Sequence, residues 1–167
     1  MKNRGITFFC CCIIFLVSML SGCVDKSDYL RIHIRANSNC KQDQQIKYVV
    51  RDEVVNFLTP LIKDCESKQQ AISVIQNNQS AVNALIEGVL IKNGFNYGCK
   101  ISICRQEFPT RVYENLTLEA GVYDAVIIEL GEGIGENWWC VVYPSFCFSS
   151  NDNVDYRSKF LDILNGL

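Results

Sequence analysis

The stretch most like a reactive loop is Gly131-Glu132-Gly133-Ile134-Gly135-Glu136, which runs directly into Asn137-Trp138-Trp139-Cys140. Two carboxylates beside an aromatic platform for a sugar ring are the equipment of a glycoside hydrolase, so Glu132 and Glu136 are the acid pair of one functional reading, a secreted cell-wall hydrolase. Against it, acids next to a glycine turn commonly serve only as solvated surface. Phosphate binding does not fit. The glycines alternate in a Gly-x-Gly-x-Gly pattern instead of Gly-x-Gly-x-x-Gly, the two acids would repel the ligand, and a strand-like run follows where a helix N-terminus is needed. A nucleophilic triad would have to use His33, the one histidine of the chain. Neither Ser38 nor Ser145 lies in a Gly-x-Ser-x-Gly elbow, and the arginines flanking His33 would lower its pKa. No Cys-x-x-Cys pair occurs, and one histidine cannot complete a Cys/His zinc cluster. No catalytic residue, metal or cofactor is therefore assigned.

Composition narrows the class further. Of the 167 residues, 49% are hydrophobic and 20% charged, enough for one domain with a core. The net charge is −2, and without Lys2 and Arg4 of the leader 14 basic groups face 18 acidic ones, a balance of −4. Nucleic acid is not the partner such a surface attracts.

Residues 1–23 carry a basic start at Lys2 and Arg4 and an apolar run from Ile6 to Leu20, too short for a comfortable membrane span. This is the pattern of a signal peptide. Leu20-Ser21-Gly22-Cys23 resembles a lipobox, whose cysteine would be lipidated and anchor the chain to a membrane. Residues 24–29 read as a tether. Of the ten cysteines, three lie in the apolar run. In an exported chain, Cys140 and Cys147, either side of Pro144, are either a loop-closing disulfide or two small buried hydrophobes. Cys99 and Cys104 point to opposite faces of a strand and should not pair.

The elements that would position these residues follow from periodicity. Leu30-Arg31-Ile32-His33-Ile34-Arg35 alternates as a half-buried strand, with Arg31, His33 and Arg35 as its outward row. Asp43 to Leu58 carries a helical stripe, and Pro60 is expected to stop the helix. Arg51 has no acid one turn away, so a tertiary partner is expected. A shorter helix follows over Cys65 to Gln76. A third, capped by Ser80, runs to Asn93-Gly94. Tyr97 to Ile103 and Val122 to Leu130 read as strands, with Trp138 to Tyr143 expected beside the latter across a glycine hairpin. Helices early and strands late predict an α+β domain over residues 30–148, with two to three helices on one face of a mostly antiparallel or mixed sheet. Residues 149–167 form a tail.

Several separated motifs, in order, resemble the stage II sporulation protein R family across about residues 30–148. They are Leu30-Arg31-Ile32-His33-Ile34 with Ala36-Asn37-Ser38, Asp43-Gln44, Val50-Arg51-Asp52-Glu53-Val54, Phe108-Pro109-x-Arg111-x-Tyr113, Ala120-Gly121-x-Tyr123-x-Ala125, and Gly131 to Phe148. Asn39, Glu119, Ile127 and Ser145-Phe146 depart from the family's usual Asp, Pro, Arg and Pro-Leu. The resemblance implies a non-enzymatic signal exported into the space between forespore and mother-cell membranes. There it would activate a membrane-embedded aspartic protease that processes the sigma E precursor. Asn37, Ser38, Arg51, Arg111, Tyr113, Glu132, Asn137, Trp138 and Trp139 are the candidate receptor-binding residues. Tryptophan, tyrosine and arginine are the residue types that dominate binding hot spots. A structural role competes for each of them. It competes evenly for the tryptophans, one of which would face inward and one outward, and more strongly for Arg51.

Overall fold

A computed structural model describes residues 28–113 and 116–144. The leader, Cys23, most of the tether, Cys147 and the tail lie outside the described residues.

The first strand, β1 (Leu30–Arg35), is followed by three helices, α1 (Lys41–Ile62), α2 (Lys68–Asn77) and α3 (Gln79–Lys92). Five strands complete the chain: β2 (Cys99–Phe108), β3 (Arg111–Tyr113), β4 (Leu116–Leu118), β5 (Gly121–Leu130) and β6 (Asn137–Tyr143). The main sheet has the order β2-β5-β1-β6, with β1 parallel to β5 and the other pairs antiparallel. β3 and β4 form a separate two-stranded sheet. This is the expected α+β class with a mixed sheet.

Helix α1 begins at Cys40, whose sulfur accepts the backbone N–H of Asp43 at 3.4 Å. Ile46, Val50, Val54, Leu58 and Ile62 recur every four residues and are all buried. They pack with stripes from α2 and α3 onto Leu30, Ile32, Ile34, Val126, Ile128 and Leu130 of the sheet. Pro60 does not end the helix, which runs two residues further to Ile62. A proline this near the end removes one backbone bond, and burial of Leu58 and Ile62 holds the final turn against that loss. Ser67 caps α2 by accepting from the Gln70 amide. Ser80 does not cap α3. Its N-cap is Asn78, where α2 also ends, so the helices abut; the Asn78 side chain donates back to the Val74 carbonyl of α2 and leaves the start of α3 without a side-chain cap. Lys68 on α2 pairs with Asp124 on β5, and Gln79 at the start of α3 donates to the Ile101 carbonyl of edge strand β2. Both bonds tie the helical layer to the sheet.

Two expectations fail in ways that matter for function. The glycine run is not a hairpin, because β1 lies between β5 and β6 and the loop must pass over the end of β1. The row Arg31, His33, Arg35 does not face solvent. Arg31 and His33 are fully buried. Period-two alternation places them on the second face of the sheet, as expected, but that face has its own cover. Phe108, Leu118, Tyr123, Ala125, Ile127 and Val141 form a second apolar cluster there, with Tyr29, Tyr113, Leu116 and Trp139 packed against it.

Candidate functional site

The turn after β1 and the glycine loop interlock around one carboxylate. Asp43 accepts from Asn37 Nδ2 at 2.8 Å, from Ser38 Oγ at 2.6 Å and from the Tyr97 hydroxyl at 2.7 Å. Burial alone would raise its pKa, but these bonds to the charged form hold it below the ordinary 3.8. Burial and the same carboxylate push the Tyr97 phenol up. The loop then closes over the turn. Asn37 Oδ1 accepts the Glu132 amide at 2.9 Å, Asn39 Oδ1 the Glu136 amide at 2.8 Å, and the Ala36 carbonyl the Gly135 amide at 2.9 Å. Gly131 and Gly133 adopt positive φ, at 55° and 63°, which is where glycine is needed. Beneath the loop the fully buried Lys47 donates to Gln44 Oε1 and to the Glu136 carbonyl. Burial there holds its pKa below the ordinary value.

Asp43→Asn should therefore cost about 3 kcal/mol at neutral pH, since hydrogen bonds to a charged group contribute about 1.5–3 kcal/mol, and here the charge is lost and one accepting oxygen becomes an NH2 that faces donors. Urea denaturation at pH 7 checks it, and a loss below about 1 kcal/mol would show that the lock is only local. Because the folded value is depressed, this stabilisation is complete above about 3.8 and is lost as pH falls through the lower folded value.

The second constellation is the Arg31 face. The Arg31 guanidinium carbon lies 4.2 Å from the Phe108 ring centre and 4.8 Å from that of Tyr123, and Nη2 donates to the Tyr113 hydroxyl at 3.0 Å. Desolvated cation–π contacts of this kind stabilise by about 2 kcal/mol. His33 lies 4.7 Å from Trp139 and 5.6 Å from Phe108, ring centre to ring centre. Burial first, then Arg35 and Arg31, lower its pKa to about 4, so it is neutral at physiological pH. Arg31 Nε and Nη1 and both His33 ring nitrogens are buried without a hydrogen-bond partner. Arg35, next along the same face, is paired with Glu129 at 3.0 Å.

The candidate receptor residues thus fall into three places. Asn37, Ser38 and the Glu132 backbone belong to the lock, where their polar atoms are spent inside the fold. Arg111, Tyr113 and Trp139 gather on the Arg31 face, with the exposed Arg111 5.7 Å from the Trp139 ring. Arg51 and Trp138 meet on the helical side, also at 5.7 Å. The acid partner of Arg51 is its neighbour Asp52, at 2.7 Å, so the tertiary contact is with an aromatic ring. Neither tryptophan is fully exposed. They point to opposite faces, as expected for adjacent strand residues, but both faces are covered and both rings are half-buried. Asn137 keeps a buried Oδ1 without a partner. The Glu132 and Glu136 side chains are exposed on the loop. Cys140 is buried on the helical side, whereas Cys40, Cys65, Cys99 and Cys104 are free thiols.

Arg31, His33, Phe108, Tyr123 and Asp43 were not among the candidates. The available signal was a surplus of aromatic residues with no helical stripe to meet, together with the short alternating runs Arg111-Val112-Tyr113 and Leu116-Thr117-Leu118 that supply the second cover.

Taken together, these features define a small α+β domain with helices on one sheet face and an arginine–aromatic cluster under a strand pair on the other. No described helix is long and apolar enough to cross a membrane, and no cluster of metal-binding side chains occurs among the described residues. The model of the stage II sporulation protein R family matches residues 26–153, and the chain belongs to that family of sporulation proteins. It is 38% identical over 124 residues to stage II sporulation protein R of Bacillus subtilis (strain 168), a match covering 74% of this chain and 55% of that protein. The chain therefore spans about half the length of this curated relative. No solved structure matches.

Proposed function

We propose that this chain is an exported sporulation signal that activates a membrane-embedded aspartic protease, which then processes the sigma E precursor. Family membership is the observation that carries the reading. The domain works outside the cytoplasm, between forespore and mother-cell membranes, delivered by residues 1–23 and held there by the signal or by lipid on Cys23. A disulfide from Cys140 to Cys147 fits that compartment, and Cys140 is absent from the free thiols among the described residues. Activation requires tighter binding to the active state of the protease than to the inactive one. Arg111 with Trp139, and Arg51 with Trp138, supply half-buried or exposed groups of the types that anchor interfaces.

The test is co-expression of the chain, the protease and the sigma precursor in a host that does not sporulate. Cleavage is expected only when all three are present. Equal cleavage without this chain would overturn the proposal.

A further inference from the structure

We propose that the Arg31 face is a carboxylate-binding site, and that an acidic side chain of a protein partner enters it by taking the place of the Tyr113 hydroxyl on Arg31. The proposal rests on the activator reading only for the identity of the partner. The chemistry comes from the cluster itself. Arg31 is fully buried and absent from the four ion pairs among the described residues, which are Arg35–Glu129, Arg51–Asp52, Lys63–Asp64 and Lys68–Asp124. The hydroxyls it meets, Tyr113 at 3.0 Å and Tyr123, are both neutral phenols, while Nε and Nη1 have no acceptor. A guanidinium presents donors as a planar fork that fits a carboxylate with two parallel bonds, each stronger than a bond to a neutral oxygen. Nη2 belongs to both edges of that fork, and Nη2 is the donor that Tyr113 occupies. Nη2 carries one N–H on each edge, so removing Tyr113 frees the two-donor edge that its hydroxyl blocks.

The surroundings suit the same ligand. His33, directly beside Arg31 on the sheet face, has no hydrogen-bond partner on either ring nitrogen, and its neutral imidazole offers one further N–H donor. Arg111, exposed over Trp139, adds positive charge at the rim, and Arg35 is already neutralised by Glu129. Access does not require the main sheet to open. Tyr113 belongs to β3, which among the described residues pairs with β4 and not with the main sheet, so side-chain packing and the Ala120 amide bond to Thr110 hold this cover in place.

The test uses the full chain in detergent micelles, labelled with nitrogen-15, and two probe peptides, acetyl-Gly-Glu-Gly-amide and the same peptide with glutamine. The glutamate peptide should shift the Arg31 Nε–H and Trp139 Nε1–H resonances saturably, and the glutamine peptide should not. Tyr113→Phe removes the competing hydroxyl and should lower the half-saturating concentration about fivefold, equivalent to about 1 kcal/mol. Arg31→Lys keeps the charge, loses the fork, and should abolish the response. Absence of a saturable shift in both the native chain and Tyr113→Phe overturns the proposal, as does an equal response to the glutamine peptide. Precursor cleavage that is independent of the chain, with the glutamate response intact, would overturn the activator role and leave this site standing.

Discussion

The protein is expected to lose about 3 kcal/mol of stability between pH 7 and pH 4 through one side chain, His33. Its pKa falls from 6.5 in the unfolded chain to about 4 in the folded one, and each unit corresponds to about 1.4 kcal/mol. The sign follows from which state takes up the proton. Above pH 6.5 both states hold a neutral imidazole and the contribution is complete. As pH falls from 6.5 toward 4, the unfolded chain binds a proton that the folded chain refuses, so unfolding is progressively favoured. Below about 4 the folded state is protonated as well and the slope ends. Asp43 acts in a separate, lower window, beneath 3.8. Urea denaturation at pH 7, 5.5 and 4 measures the effect. His33→Phe preserves an aromatic ring against Trp139 and Phe108 but cannot titrate, so its stability should change little across the same window. An undiminished pH slope in that variant would place the effect elsewhere.

The second large effect is expected at Gly135. A Cβ there would sit 2.3 Å from the Ser38 carbonyl oxygen and 2.9 Å from that of Ala36. Both obstacles are backbone atoms of the turn that the loop clamps, so neither can rotate away. Gly135→Ala should destabilise by about 3 kcal/mol, the upper part of the usual range for overpacking. Gly88 provides the internal comparison. It is exposed on α3, and a Cβ added there meets nothing within 4 Å. Gly88→Ala should stabilise by about 0.5–1 kcal/mol through helix propensity alone. Thermal and urea midpoints of the two variants should move in opposite directions. Similar behaviour would mean that the loop yields where its contacts say it should not.

The helices, the class of fold and the facing of individual strand residues were legible in the sequence because each depends on local periodicity. The stripe from Ile46 to Ile62 specifies α1 without reference to the rest of the chain. Pro60 was misread because the cost of one lost backbone bond is local, whereas the burial of Ile62 that outweighs it is tertiary. The expected pairing of β6 beside β5 fails for a related reason. Gly131 to Gly135 has the composition of a hairpin, and nothing within it reveals that β1 already occupies the space beside β5. For the site, alternation correctly put Arg31 and His33 on the face opposite the helices, but exposure was inferred from their polarity. Whether a polar strand face meets water depends on what packs over it, and here the cover comes from Tyr113, Leu116 and Leu118, distant in sequence. Asn37, Ser38 and Glu132 are expected from the sequence to meet a receptor; within the fold Asn37 and Ser38 hydrogen-bond Asp43, and the Glu132 amide donates to Asn37.

The central place of β1 also governs when the domain can form. Leu30 pairs with Asp124 on one side and with Tyr143 on the other, so the first strand made is completed only by the last ones. Until Asn137–Tyr143 is available, the chain holds three one-sided helices and a strand with an empty flank. Contacts so distant along the chain bring little stability before their loops have closed, which makes assembly slow and late. A chain that lacks its final strand therefore leaves one flank of β1 open, and that flank is a ready template for pairing with another strand.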